Sequence, residues 1–293
     1  MNVVKWGCIG LLVFMLTLSA SAEFISLSTN VDVDRLVNTT STWVNITITN
    51  RGDEPAYDVI VEPAFDSGFS AEQIVLGNIN PNQTVSGATQ LSIASGAAPG
   101  RYSMAFLIRY ADVNNYPFTF VSPLHFFYMT TVQSNVVGLL NVDSVELAGE
   151  KKAVMTLKIQ NRDDKQHDVT IKLYTPNQIA VEGGEKTVTL APKSESQVDF
   201  TVSSLGALPG GDFFVFAVLN YDEDGRHYAV TSSNGRIVTS KERSTMGILA
   251  PVILVIVVVL VIALVYLQLR KDKPVRSPGK KTAASKKTGS GEE

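Results

Sequence analysis

Asn220, Asp222 and Asp224 put side-chain oxygen at alternate positions just before Gly225, which is how a calcium loop begins. The glutamate that would close such a loop at the twelfth position is replaced by Thr231. The matching stretch earlier in the chain, Tyr110-Ala111-Asp112-Val113-Asn114, does not keep the acids. An acidic hairpin turn therefore accounts for these residues better than a metal does. A second chemistry is modification: Asn38-Thr39-Thr40, Asn45-Ile46-Thr47 and Asn82-Gln83-Thr84 are N-glycosylation sequons, and none occurs after residue 138. Asn45 falls on the polar phase of its strand and the other two in turns, so all three are expected to be reachable from outside. Sequons also arise by accident in sequence rich in Thr and Asn.

Catalysis is not expected. His125, His167 and His227 are isolated in sequence, and there is no G-x-S-x-G elbow, no H-E-x-x-H and no phosphate-binding glycine loop. No cofactor is expected either.

The elements that must carry these residues are strands. Val44, Ile46 and Ile48 alternate with Trp43, Asn45, Thr47 and Thr49; Met155, Leu157 and Ile159 alternate with Val154, Thr156, Lys158 and Gln160. Period two with one apolar face marks a half-buried strand. The two stretches are copies. Asn50-Arg51 falls on Asn161-Arg162, Asp58-Val59 on Asp168-Val169, Pro99-Gly100 on Pro209-Gly210 and Tyr110 on Tyr221, always about 110 residues apart. Turn residues at short intervals and the lack of amphipathic helices predict about seven strands per copy. The fold class is thus all-β: two tandem immunoglobulin-like antiparallel β-sandwiches, residues 23–133 and 138–240, plus one transmembrane α-helix. Placed in series, two sandwiches of ~40 Å would reach ~80 Å, with the first copy at the tip.

The run Val44-Asn45-Ile46-Thr47-Ile48-Thr49-Asn50-Arg51-Gly52, then Asp58-Val59 and Ala98-Pro99-Gly100-Arg101-Tyr102, resembles the CARDB and S-layer-like Ig modules of bacterial and archaeal surface proteins. The second copy keeps Leu208-Pro209-Gly210 and Tyr221 but has Asp163 for Gly52 and Phe213 near the Tyr102 position. The resemblance covers both copies. It implies non-catalytic modules for spacing, adhesion or docking, and names no ligand.

The ends set the address. Lys5, an apolar run from Ile9 to Leu18 and Ala20-Ser21-Ala22 read as a signal peptide over residues 1–22. Gly247 to Leu267 carries no ionisable side chain other than Tyr266, and at ~1.5 Å per residue it is long enough to span a hydrocarbon core of ~30 Å. After it, residues 268–293 form a basic tail with eight Lys/Arg against three acids, whereas residues 23–245 hold 16 against 25. The positive-inside rule then puts the ectodomain outside and the tail in the cytoplasm, in a single-pass type I arrangement at the cell membrane. The tail's lysines suit topology and anionic lipid rather than nucleic acid. Cys8, the single cysteine, leaves with the leader, so the ectodomain has no disulfide; that is unusual for animal Ig domains and points to a prokaryotic, archaeal-type envelope.

Phe126, Phe127 and Tyr128 are consecutive and so must present aromatics to both faces of a strand. Sandwich core plus packing between the two copies accounts for this run and for Phe213, Phe214 and Phe216; the sharper reading is that one face is buried against a partner or against the second copy. Two functions are compatible with the whole: a cell-surface glycoprotein used for binding, adhesion or scaffolding at the envelope, with a surface glycan or another envelope protein as partner; or an accessory subunit docked on a multi-pass membrane complex such as an ABC-type exporter or a translocation complex.

Overall fold

The computed structural model describes residues 24–140, 144–148 and 151–240, together with Ile256, Val259, Leu260, Ile262, Ala263 and Tyr266. Those last six are helical. The signal peptide expected at 1–22, the rest of the apolar stretch 247–267 and the tail at 268–293 lie outside the described residues. Among the described residues no helix is long and apolar enough to cross a membrane. The chain divides into two compact units, Met1–Lys241 and Glu242–Glu293, and the first of them contains every strand.

The first copy holds β1 (Leu27–Val33), β2 (Leu36–Val37), β3 (Ser41–Asn50), β4 (Ala56–Ala64), β5 (Phe69–Ser70), β6 (Ile74–Ile79), β7 (Thr84–Ile93), β8 (Gly100–Ala111) and β9 (Pro117–Tyr128). The second holds β10 (Val136–Leu140), β11 (Val145–Leu147), β12 (Ala153–Asn161), β13 (His167–Tyr174), β14 (Ile179–Val181), β15 (Glu185–Leu190), β16 (Glu195–Ser204), β17 (Asp212–Glu223), β18 (Arg226–Thr231) and β19 (Gly235–Thr239). The first copy stacks a β1-β3-β7-β5 sheet on β6-β4-β8-β9, and β2 joins β9 in parallel. The second repeats this as β10-β12-β16-β14 and β15-β13-β17-β18, with β19 continuing from β17 and β11 joining β19 in parallel. Antiparallel A-B-E-D and G-F-C sheets, with an extra C′ strand, are the immunoglobulin arrangement. The expected all-β, immunoglobulin-like character is therefore seen, with short strands beyond the seven anticipated per copy.

Alternation builds each core. Along β3, Val44, Ile46 and Ile48 are fully buried and meet Leu91 of β7 and Met104, Phe106 and Ile108 of β8. In the second copy Met155, Leu157 and Ile159 of β12 meet Phe200, Val202 and Leu219. Each such side chain contributes about 1.5–3 kcal/mol on burial, so no disulfide is needed. Met104, two residues after Tyr102, stands where antibody domains carry their strand-F cysteine.

The duplication reaches single hydrogen bonds. Asn50 Nδ2 donates to the carbonyls of Glu54 and Ile79, and its Oδ1 accepts from Gly52 N–H. Asn161 does the same with Lys165, Leu190 and Asp163. The offset slips by one residue between Asn50 and Asp58 because β4 carries a bulge there, with Asp58 at φ 50°.

The copies do not stand in series. They lie side by side, joined along the length of β8 and β9. At one end His227 pairs with Gly100; midway Tyr174, Phe216, Val218 and Ala229 pack on Ala105, with Ala64 and Val121 beside them; at the other end Gln178 Nε2 donates to Pro117 O at 2.9 Å. Lys172 crosses to Asp66 at 2.7 Å. Because β18 runs parallel to β8 and antiparallel to β17, the equivalent strands β8 and β17 point opposite ways. The first copy is thus no outer tip. Besides their part in the two cores, β8 and β17 bury side chains against each other, Ala105 on one and Phe216 and Val218 on the other.

Candidate functional site

The acidic run is a hairpin turn. Asp224 and Gly225 sit at φ 47° and 71° between β17 and β18, the double positive φ of a type I′ turn, which Asp-Gly suits. Its carboxylates part company: Asp222 binds His227 Nδ1 at 2.8 Å, while Glu223 and Asp224 bind Lys165 Nζ. Asn220 pairs with Ala229 in the ladder. The three candidate calcium ligands are not brought to one point.

A different trio does converge. Asp163, His167 and Glu223 bring ligand atoms within 4.8 Å of one another. Asp163 Oδ2 is 3.2 Å from His167 Nε2, its Oδ1 accepts from Asp164 N–H at 2.7 Å, and Lys165 already sits on Glu223. A lysine ammonium thus pairs with one of the three, and the imidazole is buried against the Tyr221 ring at 4.6 Å. These polar atoms serve the turn.

The remaining histidines belong to the seam between copies. His227 stacks on Tyr102, centroids 4.4 Å apart at 14°. Burial first, then the charges of Asp222 and Tyr128, push the Tyr102 phenol up to about 12. His125 Nδ1 lies 3.1 Å from Ser103 Oγ and 3.5 Å from Thr231 Oγ1. Desolvation, then Arg101, lowers the His125 pKa. Ser103 is buried and no carboxylate among the described residues holds the ring, so the pair lacks the third member of a hydrolytic triad.

Phe126 and Tyr128 point into the first core, where Phe126 meets Tyr102 and Phe69. Phe127 takes the other face, half-buried, with the Arg101 guanidinium 6.0 Å from its ring. Asn38, Asn45 and Asn82 are all exposed; Asn82 holds φ 61° in a turn and Asn45 lies in mid-strand.

Sequence reading missed an apolar edge. Val113 is 60% exposed, Leu205 62% and Leu208 44%. Hydrogen bonds gather their loops at one end of the molecule: Val113 N–H donates to Glu54, Tyr116 O–H donates to the Gly206 carbonyl, and Thr239 Oγ1 donates to the Leu208 carbonyl. Thr239 is the last strand residue before the apolar stretch that starts at Gly247. Bare leucines in the Leu205-Gly206-Ala207-Leu208-Pro209-Gly210 loop were the signal.

No protein-family model matches this chain, and no curated protein matches it. Solved structures that resemble it include native Escherichia coli alpha-2-macroglobulin, at 12% identity and a TM-score of 0.30 over 73% of this chain and 17% of that one. A Salmonella alpha-2-macroglobulin mutant gives 13% and 0.31 over 73% and 16%, and a FixG-related protein from Vibrio parahaemolyticus gives 15% and 0.29 over 36% and 98%. The chain thus spans under a fifth of the length of these two macroglobulins. Likeness at this level leaves the Ig-like topology to rest on the strand order itself.

Proposed function

We propose that this chain is a non-catalytic envelope protein: a signal peptide exports it, residues 247–267 anchor it, and the paired Ig-like copies form a stiff external body for binding or scaffolding. The observation that carries the reading is the coincidence of the exposed apolar edge, Val113, Leu205 and Leu208, with the end at which strand β19 delivers the chain toward Gly247. Apolar side chains there are at home in a headgroup region and costly in water. The side-by-side seam joins the copies in one compact unit, which suits spacing and presentation. The exposed sequons Asn38, Asn45 and Asn82 fit a glycosylated outer surface, and the lack of any cysteine after Cys8 fits the prokaryotic, S-layer-like kind of module that the strand motifs resemble.

The test is fractionation of cells expressing the full chain. The protein is expected to resist carbonate extraction, and external protease to remove the 24–240 segment while sparing an epitope at residue 293. A chain that washes off the membrane, or a C-terminal epitope digested from outside, overturns the proposal.

A further inference from the structure

We infer that Asn45 carries a glycan whose first sugar rings lie on the indole of Trp43; this rests on the envelope reading above. Trp43, the third residue of β3, is 60% exposed on the outward face of the β1-β3-β7-β5 sheet. Asn45 follows two residues on, so it projects from the same face ~6.5–7 Å away. Across the ladder from Asn45 stand Ala88 on β7, which leaves space on that side of the amide, and the exposed Asp32 on β1. Asn45 makes no side-chain hydrogen bond among the described residues, and Thr47 on the same face completes the sequon.

The surroundings suit a sugar. Asn45, Thr47, Thr49, Ser86 and Gln90 offer amides and hydroxyls, with no lysine or arginine among the outward residues of β3 and β7. The C–H face of a pyranose complements the negative face of an indole. One aromatic ring holds a free sugar weakly, whereas a tethered sugar meets it at an effective concentration in the millimolar range or above. The second copy supplies a contrast within the same molecule. There Val154 and Thr156 take the positions of Trp43 and Asn45, and Lys158 takes that of Thr47. Ring and acceptor are absent together.

Glycopeptide mass spectrometry and acrylamide quenching of the full chain, purified from a host with N-glycosylation, test the inference in a Trp6→Phe background, where Trp43 is the only tryptophan. The expected result is sugar on Asn45 and a quenching constant that rises about two-fold in Asn45→Gln, as one ring face is uncovered. Thr47→Ala, which removes the sequon and keeps Asn45, must give the same rise. Asn45 bare while Asn38 or Asn82 is occupied overturns the inference and leaves the envelope reading standing, as does unchanged quenching with Asn45 occupied. Loss of surface exposure in the protease assay is the separate outcome that removes the envelope reading itself.

Discussion

Tyr102 of the first copy and His227 of the second stack face to face, 4.4 Å between centroids. Beside them Gly100 pairs with His227, and a Cβ built on Gly100 would fall 1.9 Å from the His227 carbonyl oxygen. The seam is therefore closed at this end by a residue without a side chain. Pro99-Gly100 stands in the sequence as one of the matches between the copies; the structure adds a reason for glycine that only the neighbouring copy supplies.

Gly100→Ala should open that end of the seam without touching either core. Calorimetry of the wild type is expected to show one transition for the 24–240 body, and the variant two. A single transition at the wild-type temperature would mean that the copies unfold independently of this contact.

Asn50→Ala and Asn161→Ala remove matching hydrogen-bond sets around buried backbone groups. Each should cost about 2–4 kcal/mol, since orphaned buried partners cost ~1–3 kcal/mol apiece. Urea unfolding measures this. The two losses should be similar, because the two side chains do the same work.

Tyr102 O–H donates to the Ala98 carbonyl at 2.7 Å, the tyrosine corner of an Ig strand F. Tyr102→Phe should cost ~1 kcal/mol in urea titration. The second copy has Phe213 at that place and never had the bond, so Phe213→Tyr is expected to change stability little.

The lowered pKa of His125 sets a pH dependence. As pH falls, the unfolded chain takes up this proton first, near the free value of about 6.5, so stability declines below that pH and is flat above it. His125→Gln should lack that part of the decline between pH 8 and pH 5, read as the difference in urea midpoints. An unchanged decline would put the titration elsewhere.

Much of the fold was legible because its signals are local. Alternation in β3 and β12, the Asn50 and Asn161 turns and the Asp224-Gly225 hairpin all announce themselves within ten residues. The arrangement of the copies was not. Phe216 and Val218 read as ordinary core alternation, and nothing in their spacing says that the far face of β17 packs on Ala105 of another module. Phe126 and Tyr128 left two readings open, since an aromatic run looks the same whether it fills a core or meets a partner; the structure puts both in the first core. The apolar edge was hidden for a third reason: Val113 and Leu205 are 92 residues apart, and only the antiparallel packing of the copies brings their loops to one end.

The central claim, that this edge faces a membrane, is tested most directly with the full chain in vesicles carrying a lipid-borne quencher. With Cys8 as the only native cysteine, Cys8→Ser permits a single environment-sensitive label at Val113→Cys or, at the opposite end beside Gly100, at Met129→Cys. Strong quenching is expected from position 113 and little from 129. Equal quenching at the two positions, or stronger quenching from 129, would contradict the claim.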